Sequence, residues 1–213
     1  AISSVRNPVL LIGNDAQQAG APLLLLGLAS RLRARGWSPV FLLQRAGPLF
    51  TRFTAAGPTI IADDGWDLAA MGPEIPRWTP VLANTGWGGP LVGELGVSSP
   101  VLLLIHEMPA YLVEHDLIHP LERAHTIVAS MPATQATLES VLGPSDRLQT
   151  IVPGLHPPAG TRAGARRVRR VLLAEFGATS HVYLSAGYAD HRKGFDLFLA
   201  AARLLAERAP DAA

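Results

Sequence analysis

Short apolar runs of strand length alternate along the chain with longer stretches of helical periodicity, the mark of repeated strand-helix-strand units around a parallel sheet. Pro8 to Ile12 is apolar and followed by Gly13, which predicts a first buried strand. The loop GNDAQQAGAP leads into a helix with Pro22 near its first turn, running through LLLLGLASRLRARG to Gly36. Its four consecutive leucines predict burial on more than one side. Val40 to Gln44 is expected as the next strand, Pro48 to Ala56 as a short helix and Thr59 to Ala62 as a third strand. Val81 to Ala83 and Pro100 to Ile105 supply two more, separated by the Gly-rich segment GWGGPLVGELG. Thr126 to Ala129 is a sixth, then a helix from Ala133 to Leu142 ended by Gly143 and Pro144, and Leu148 to Val152 closes the series. The expectation is one doubly wound α/β domain over residues 1–157, an ordinary domain size.

Beyond it, GLHPPAGTRAG concentrates Pro, Gly and small residues as linkers do. ARRVRRVLLAEFG then predicts a helix, HVYLSAGY a strand and GFDLFLAAARLLAERAP a helix. In this last helix Phe195, Phe198, Leu199, Ala202 and Leu205 recur at the spacing of a single apolar face. One strand with its helices does not complete a doubly wound domain, so residues 158–213 are expected to be the truncated start of a second one.

Charge narrows the partners. Eighteen basic residues against seventeen acidic leave a formal charge of +1, so nothing global draws the protein to nucleic acid, and any anion site has to be local. Among those basic residues Lys193 is the single lysine. Charged residues at 16% are sparse and the hydrophobic fraction of 48% is ordinary, which argues for an ordered core. Cysteine is absent, which excludes disulfides and thiolate chemistry. The longest uncharged apolar stretches, Leu23 to Ser30 and Ser98 to Ile105, are far shorter than the roughly 20 residues that span a bilayer. The opening AISSVRNPVLLIGND has no Lys/Arg-rich start before a long apolar run, so it reads as a trimmed boundary and the chain as intracellular.

Ligands of open parallel sheets bind beyond the carboxyl ends of the strands, so the turns there hold the candidates. The first runs from Asn14 to Gly20, where a glycine before a helix admits a close ligand and free N–H groups attract phosphate. The dinucleotide fingerprint is absent, and the other reading is that Gly20 only opens the helix. The second is GYADHRKGFD, where Arg192 and Lys193 sit at the mouth of a helix beside Gly194, so that two charges and the helix dipole can converge on a polyanion. A solvated basic turn is its alternative. The third is IHEMP, whose His106 can bond a sugar hydroxyl or support proton transfer, with the Glu107 carboxylate to orient it; a purely structural histidine is the alternative. Asn84, Thr85 and Ser130 are polar groups at equivalent strand ends.

The remaining histidines, His115, His119, His125, His156, His181 and His191, show no metal-ligand spacing, and no nucleophile-elbow or P-loop motif occurs. The cluster Arg162, Arg166, Arg167, Arg169 and Arg170 suits a solvated helix face, with an anionic lipid surface or nucleic acid as the other reading. PLFTRFTAAG suits the core, with docking on a membrane surface as the other reading.

Taken together, these turns resemble the GT-B glycosyltransferases of family 4, the "group 1" enzymes. NDAQQAGAPLLLLGLASRLRARG looks like the family's opening Gly-rich loop and first helix, and ANTG with LLLIHEMP like its cleft-facing strand ends. IVASMPATQATLESVLG followed by TIVPGLHPP resembles the last N-domain strand, helix and hinge, and YLSAGYADHRKGFDLFLAAARLL the G-R-x-x-x-x-K-G element that opens the donor domain. The resemblance implies two Rossmann-like domains, the second incomplete here, and a retaining transferase that moves a sugar from a nucleotide-sugar donor to a glycan, lipid-linked or protein acceptor. It implies no metal and no cofactor, the nucleotide-sugar being substrate, and a cytoplasmic protein with peripheral contact to the inner membrane face as an open question. By position, Lys193 and the Gly20 N–H bind the donor diphosphate, Arg192 supplements them, and His106 faces the sugar. Tyr188 stands where many members have Arg, and the family's glutamate pair eight apart falls beyond residue 213. A GT-B-like epimerase and a non-catalytic Rossmann-type binding module are the alternatives.

Overall fold

The computed structural model describes residues 5–154, 161–176, 183, 185 and 193–208. The chain divides into two compact units, Ala1–Gly154 and Leu155–Ala213.

In the first unit seven strands form a sheet in the order β3-β2-β1-β4-β5-β6-β7, and every neighbouring pair is parallel. The strands are β1 (Pro8–Asp15), β2 (Ser38–Arg45), β3 (Thr59–Ile61), β4 (Val81–Asn84), β5 (Val101–Ile105), β6 (Thr126–Ala129) and β7 (Leu148–Thr150). The doubly wound sheet expected from the alternation is therefore present. Side chains alternate across it as the pleat requires. Val9, Leu11, Phe41 and Leu43 point to one face, where α1 (Gly20–Arg33) and α2 (Phe50–Ala56) cover them with Leu25, Ala29 and Phe53. Leu10, Ile12, Val40, Leu42, Leu103 and Ile105 point to the other, beneath α4 (Gly88–Leu95), α5 (Pro109–Glu114) and α6 (Pro132–Leu142), which contribute Leu91, Leu95, Leu112 and Leu138. A short α3 (Leu68–Met71), capped by the Asp67 carboxylate accepting from the Ala70 N–H, lies in the long return from β3 to β4.

One local expectation changes, one segment gains a structure and one alternative is resolved. The leucines of α1 are not all buried: Leu25 and Leu26 are, Leu24 is half-buried and Leu23 is exposed. Consecutive helical residues step 100° apart, so four in a row sweep round the cylinder and only one stripe can meet a sheet. The Gly-rich segment between β4 and β5 is helical, as α4. Its glycines serve packing: a Cβ on Gly88 would lie 3.1 Å from the Ala83 Cβ, so the missing side chain lets the helix sit close on β4. PLFTRFTAAG belongs to the core, for Phe53 is fully buried with its ring edge-on to Phe41, centroids 5.1 Å apart.

In the second unit, α7 (Arg162–Phe176) starts at Thr161, whose hydroxyl accepts from the Gly164 N–H. Its five arginines are all exposed, as a solvated face requires. In α8 (Phe195–Arg208), Phe195, Phe198 and Leu205 are half-buried, while Leu199 and Ala202 of the expected face stay exposed because nothing among the described residues lies over them. The predicted strand HVYLSAGY lies outside the described residues but for Tyr183 and Ser185. Among the described residues no helix is long and apolar enough to cross a membrane.

Phe53→Ala should cost about 3 to 5 kcal/mol, the usual range for emptying a buried aromatic site, measured as the loss of unfolding free energy in urea.

Candidate functional site

Strand order reverses between β1 and β4: the chain builds outward to β3 on one side and to β7 on the other. The loops after β1 and β4 leave in opposite directions, and the carboxyl edge between them is the natural ligand crevice of such a sheet. Asn14, Asn84, Thr85, His106, Glu107 and Ser130 belong to turns or strand ends on this edge, and Gly20 opens the helix that follows the first of them.

Side-chain bonds to backbone tie these turns together. The Asn84 Nδ2 donates to the Ala21 carbonyl at 2.9 Å, joining the end of β4 to the first turn of α1, and its Oδ1 lies 2.8 Å from the His106 Nε2. Glu107 does not orient the imidazole, contrary to expectation. Its Oε1 accepts from the Gly86 N–H at 3.1 Å and its Oε2 from the His106 backbone N–H at 3.0 Å, so both oxygens are spent on holding two loops. Thr134, wholly buried in α6, donates its hydroxyl to the Glu107 carbonyl. Ser130 extends the β5 to β6 ladder through its N–H to the Ile105 carbonyl. Asn14 donates to the Asp15 carboxylate at 3.3 Å, and Asp15, not singled out by the sequence, turns the loop by accepting from the Gln17 N–H at 3.0 Å.

His106 is half-buried, and burial lowers its pKa below the ordinary 6.5, with the neighbouring Glu107 carboxylate pulling weakly the other way. The imidazole is neutral at pH 7 and can accept as well as donate.

Gly20 begins α1 in open space. A Cβ added there meets nothing within 4 Å and its φ is unexceptional, so neither packing nor backbone conformation demands glycine. The helix has no side-chain cap and no acidic residue in its first turn, which leaves its leading N–H groups available. Gly47 is the reverse: a Cβ there would fall 2.6 Å from the Ala16 carbon and oxygen, and the Leu49 N–H donates to that same Ala16 oxygen. The loop after β2 therefore braces the loop that leads to Gly20.

Thr85 is strained. It is a β-branched residue at φ 82°, only 7% exposed, and among the described residues its buried hydroxyl has no hydrogen-bond partner. A left-handed conformation costs about 1 to 3 kcal/mol, and an unsatisfied buried hydroxyl adds about 1 to 3 kcal/mol.

Lys193 is exposed in the second unit, immediately before α8, with Gly194 beside it in the left-handed region at φ 65°. Arg192 and Tyr188 lie outside the described residues. Of the other histidines, His125 has a structural post, its Nδ1 accepting from the Val101 N–H, and His115 stacks on Tyr111 and Trp87. Among the described residues no three His, Asp or Glu side chains gather as a metal site.

No family model matches the chain, and no curated protein sequence matches it. Solved structures do. The chain is similar to Anabaena HepE in complex with UDP and glucose, at 16% identity and a TM-score of 0.62 over 77% of this chain and 50% of that one. It is similar also to Anabaena HepE in complex with UDP-glucose, at 15% identity and a TM-score of 0.63 over 94% of this chain and 67% of that one. The likeness is one of fold, and in the first of these matches the chain spans half the length of its neighbour.

Two measurements check the site. Thr85→Val keeps the shape and deletes the orphan hydroxyl, so it should raise stability by about 1 kcal/mol in urea titration. Because the unfolded chain takes up the His106 proton at higher pH than the folded one, stability should be full above pH 6.5 and fall as the pH drops below it; His106→Gln should flatten that part of the profile.

Proposed function

We propose that the chain is part of a glycosyltransferase that moves a sugar from a nucleotide-sugar donor to a glycan, lipid-linked or protein acceptor. Residues 1–157 are its acceptor-side domain and residues 158–213 the opening of its donor-side domain. The observation that carries this reading is the carboxyl edge at the strand-order reversal. There an uncapped helix N-terminus with a glycine the fold does not itself require is bonded through Asn84 to a neutral, half-buried histidine. The first group suits a diphosphate and the second a sugar hydroxyl. The presence of UDP, glucose and UDP-glucose in solved structures of similar fold supports the pairing.

In the proposed reaction the bond between the anomeric carbon and the diphosphate oxygen breaks, the acceptor oxygen takes its place with retention of configuration, and the acceptor hydroxyl's proton passes to the freed diphosphate oxygen. Until that proton arrives, charge builds on the departing diphosphate. By the family resemblance, Gly20, Lys193, Arg192 and Tyr188 are the residues assigned to that charge, in place of a metal ion, and no cofactor takes part. His106 holds the sugar, with Asn14, Asn84, Thr85, Glu107 and Ser130 shaping the acceptor side. The protein works in the cytoplasm, in peripheral contact with the membrane when its acceptor is lipid-linked.

On this reading the 213 residues bind UDP-glucose weakly and transfer nothing by themselves, whereas a longer native form does both. In that form calorimetry should find UDP-glucose binding weakened about tenfold or more by Lys193→Ala, the usual loss for a hydrogen bond to a charged group. Gly20→Ala should weaken it similarly while leaving stability intact, and chelator should leave transfer unchanged. Binding indifferent to both substitutions would favour a non-catalytic module, and product without any acceptor would favour an epimerase.

A further inference from the structure

Asn84 ends β4 almost wholly buried, and its carboxamide is engaged at both ends, with Nδ2 on the Ala21 carbonyl and Oδ1 on the His106 Nε2. The two ends of a carboxamide have the same shape, so its orientation is fixed by what its partners can accept or donate. The Ala21 carbonyl can only accept. Turning the amide over would set two oxygens 2.9 Å apart in a buried place, so the amide nitrogen has to face Ala21. The amide oxygen then faces the imidazole, and an oxygen can only accept, so Nε2 carries the hydrogen. In a neutral imidazole the other nitrogen is then a bare lone pair, and among the described residues the His106 Nδ1 has no hydrogen-bond partner.

We propose that Asn84, anchored by the Ala21 carbonyl, is the positioning residue that locks His106 in its Nε2–H form and presents Nδ1 as a fixed acceptor to a hydroxyl of the bound sugar. The use given to Nδ1 rests on the sugar-transfer reading; the tautomer does not. Burial of the ring acts in the same direction by keeping it neutral. The lock has a consequence for substrate choice. An acceptor-only nitrogen bonds a hydroxyl, and a deoxy or O-methyl position leaves it unpaired, a mismatch that polar sites reject strongly. The anchor also lies one residue from Gly20, so the same amide that sets the histidine fixes the first turn of α1.

The test is a long-range proton–nitrogen correlation spectrum of the histidine side chains of the 213-residue chain at pH 7.5 without ligand, with His106→Gln identifying the signals. The expected result is a protonated Nε2, an unprotonated Nδ1 and a slowly exchanging Nε2 hydrogen. Asn84→Ala should speed that exchange about tenfold, in keeping with loss of one hydrogen bond. Asn84→Asp gives up the anchor, since its second oxygen cannot donate to the Ala21 carbonyl, but it sets a charged acceptor beside the ring, so it should raise the pH at which His106 titrates. A hydrogen on Nδ1 in the parent chain overturns the proposal. So does unchanged exchange in Asn84→Ala or, if that variant does not fold, an unchanged titration in Asn84→Asp. No nucleotide-sugar is present, so failure of the longer native form to bind UDP-glucose would count against the transferase reading and leave this result standing.

Discussion

The central strands of a parallel sheet bury both faces, so β1 and β2 must be covered twice, and this one requirement places most of the molecule. Coverage of one face comes from α1 and α2, over Val9, Leu11, Phe41 and Leu43, and of the other from α4, α5 and α6, over Leu10, Ile12, Val40 and Leu42 together with Leu103 and Ile105. The change of side coincides with the reversal of strand order between β1 and β4. The carboxyl edge there carries polar side chains. Asn84, His106 and the start of α1 meet at that edge.

Much of this was legible in the chain, and the exceptions have physical causes. Long apolar runs bounded by Gly, Pro and Asn marked the strands well, since a strand buried on both faces is apolar throughout. The helix over Gly88–Leu95 was not legible, because glycines lower helix propensity and their compensation, the close seat of Gly88 on Ala83, is a tertiary contact. At the site, adjacency in sequence suggested that Glu107 would serve His106. The partner is Asn84, and the β4 to β5 register, which pairs Asn84 with Leu104, brings it within reach. Spacing along one strand cannot show which side chains meet across two.

The edge is held by side chains bonded to backbone more than by ion pairs. Glu107 clasps two N–H groups, Thr134 one carbonyl and Asn84 another. In a buried setting each such group is costly if left unpaired, so a network of this kind admits few alternative arrangements. Thr85 is the departure, with an unpaired hydroxyl and a strained backbone in the midst of satisfied neighbours. Strain kept in one residue of an otherwise well-bonded edge is the pattern of a site whose geometry is imposed from outside it.

The seam between Gly47 and Ala16 sets a rule for rebuilding this edge. Because backbone meets backbone there with no room for a methyl group, the turn after β1 and the turn after β2 behave as one piece of scaffold. A foreign sequence grafted into the second turn without glycine at position 47 would set a Cβ 2.6 Å from the Ala16 carbonyl. Residues 13–20 and 45–49 therefore have to be exchanged together or with Gly47 kept.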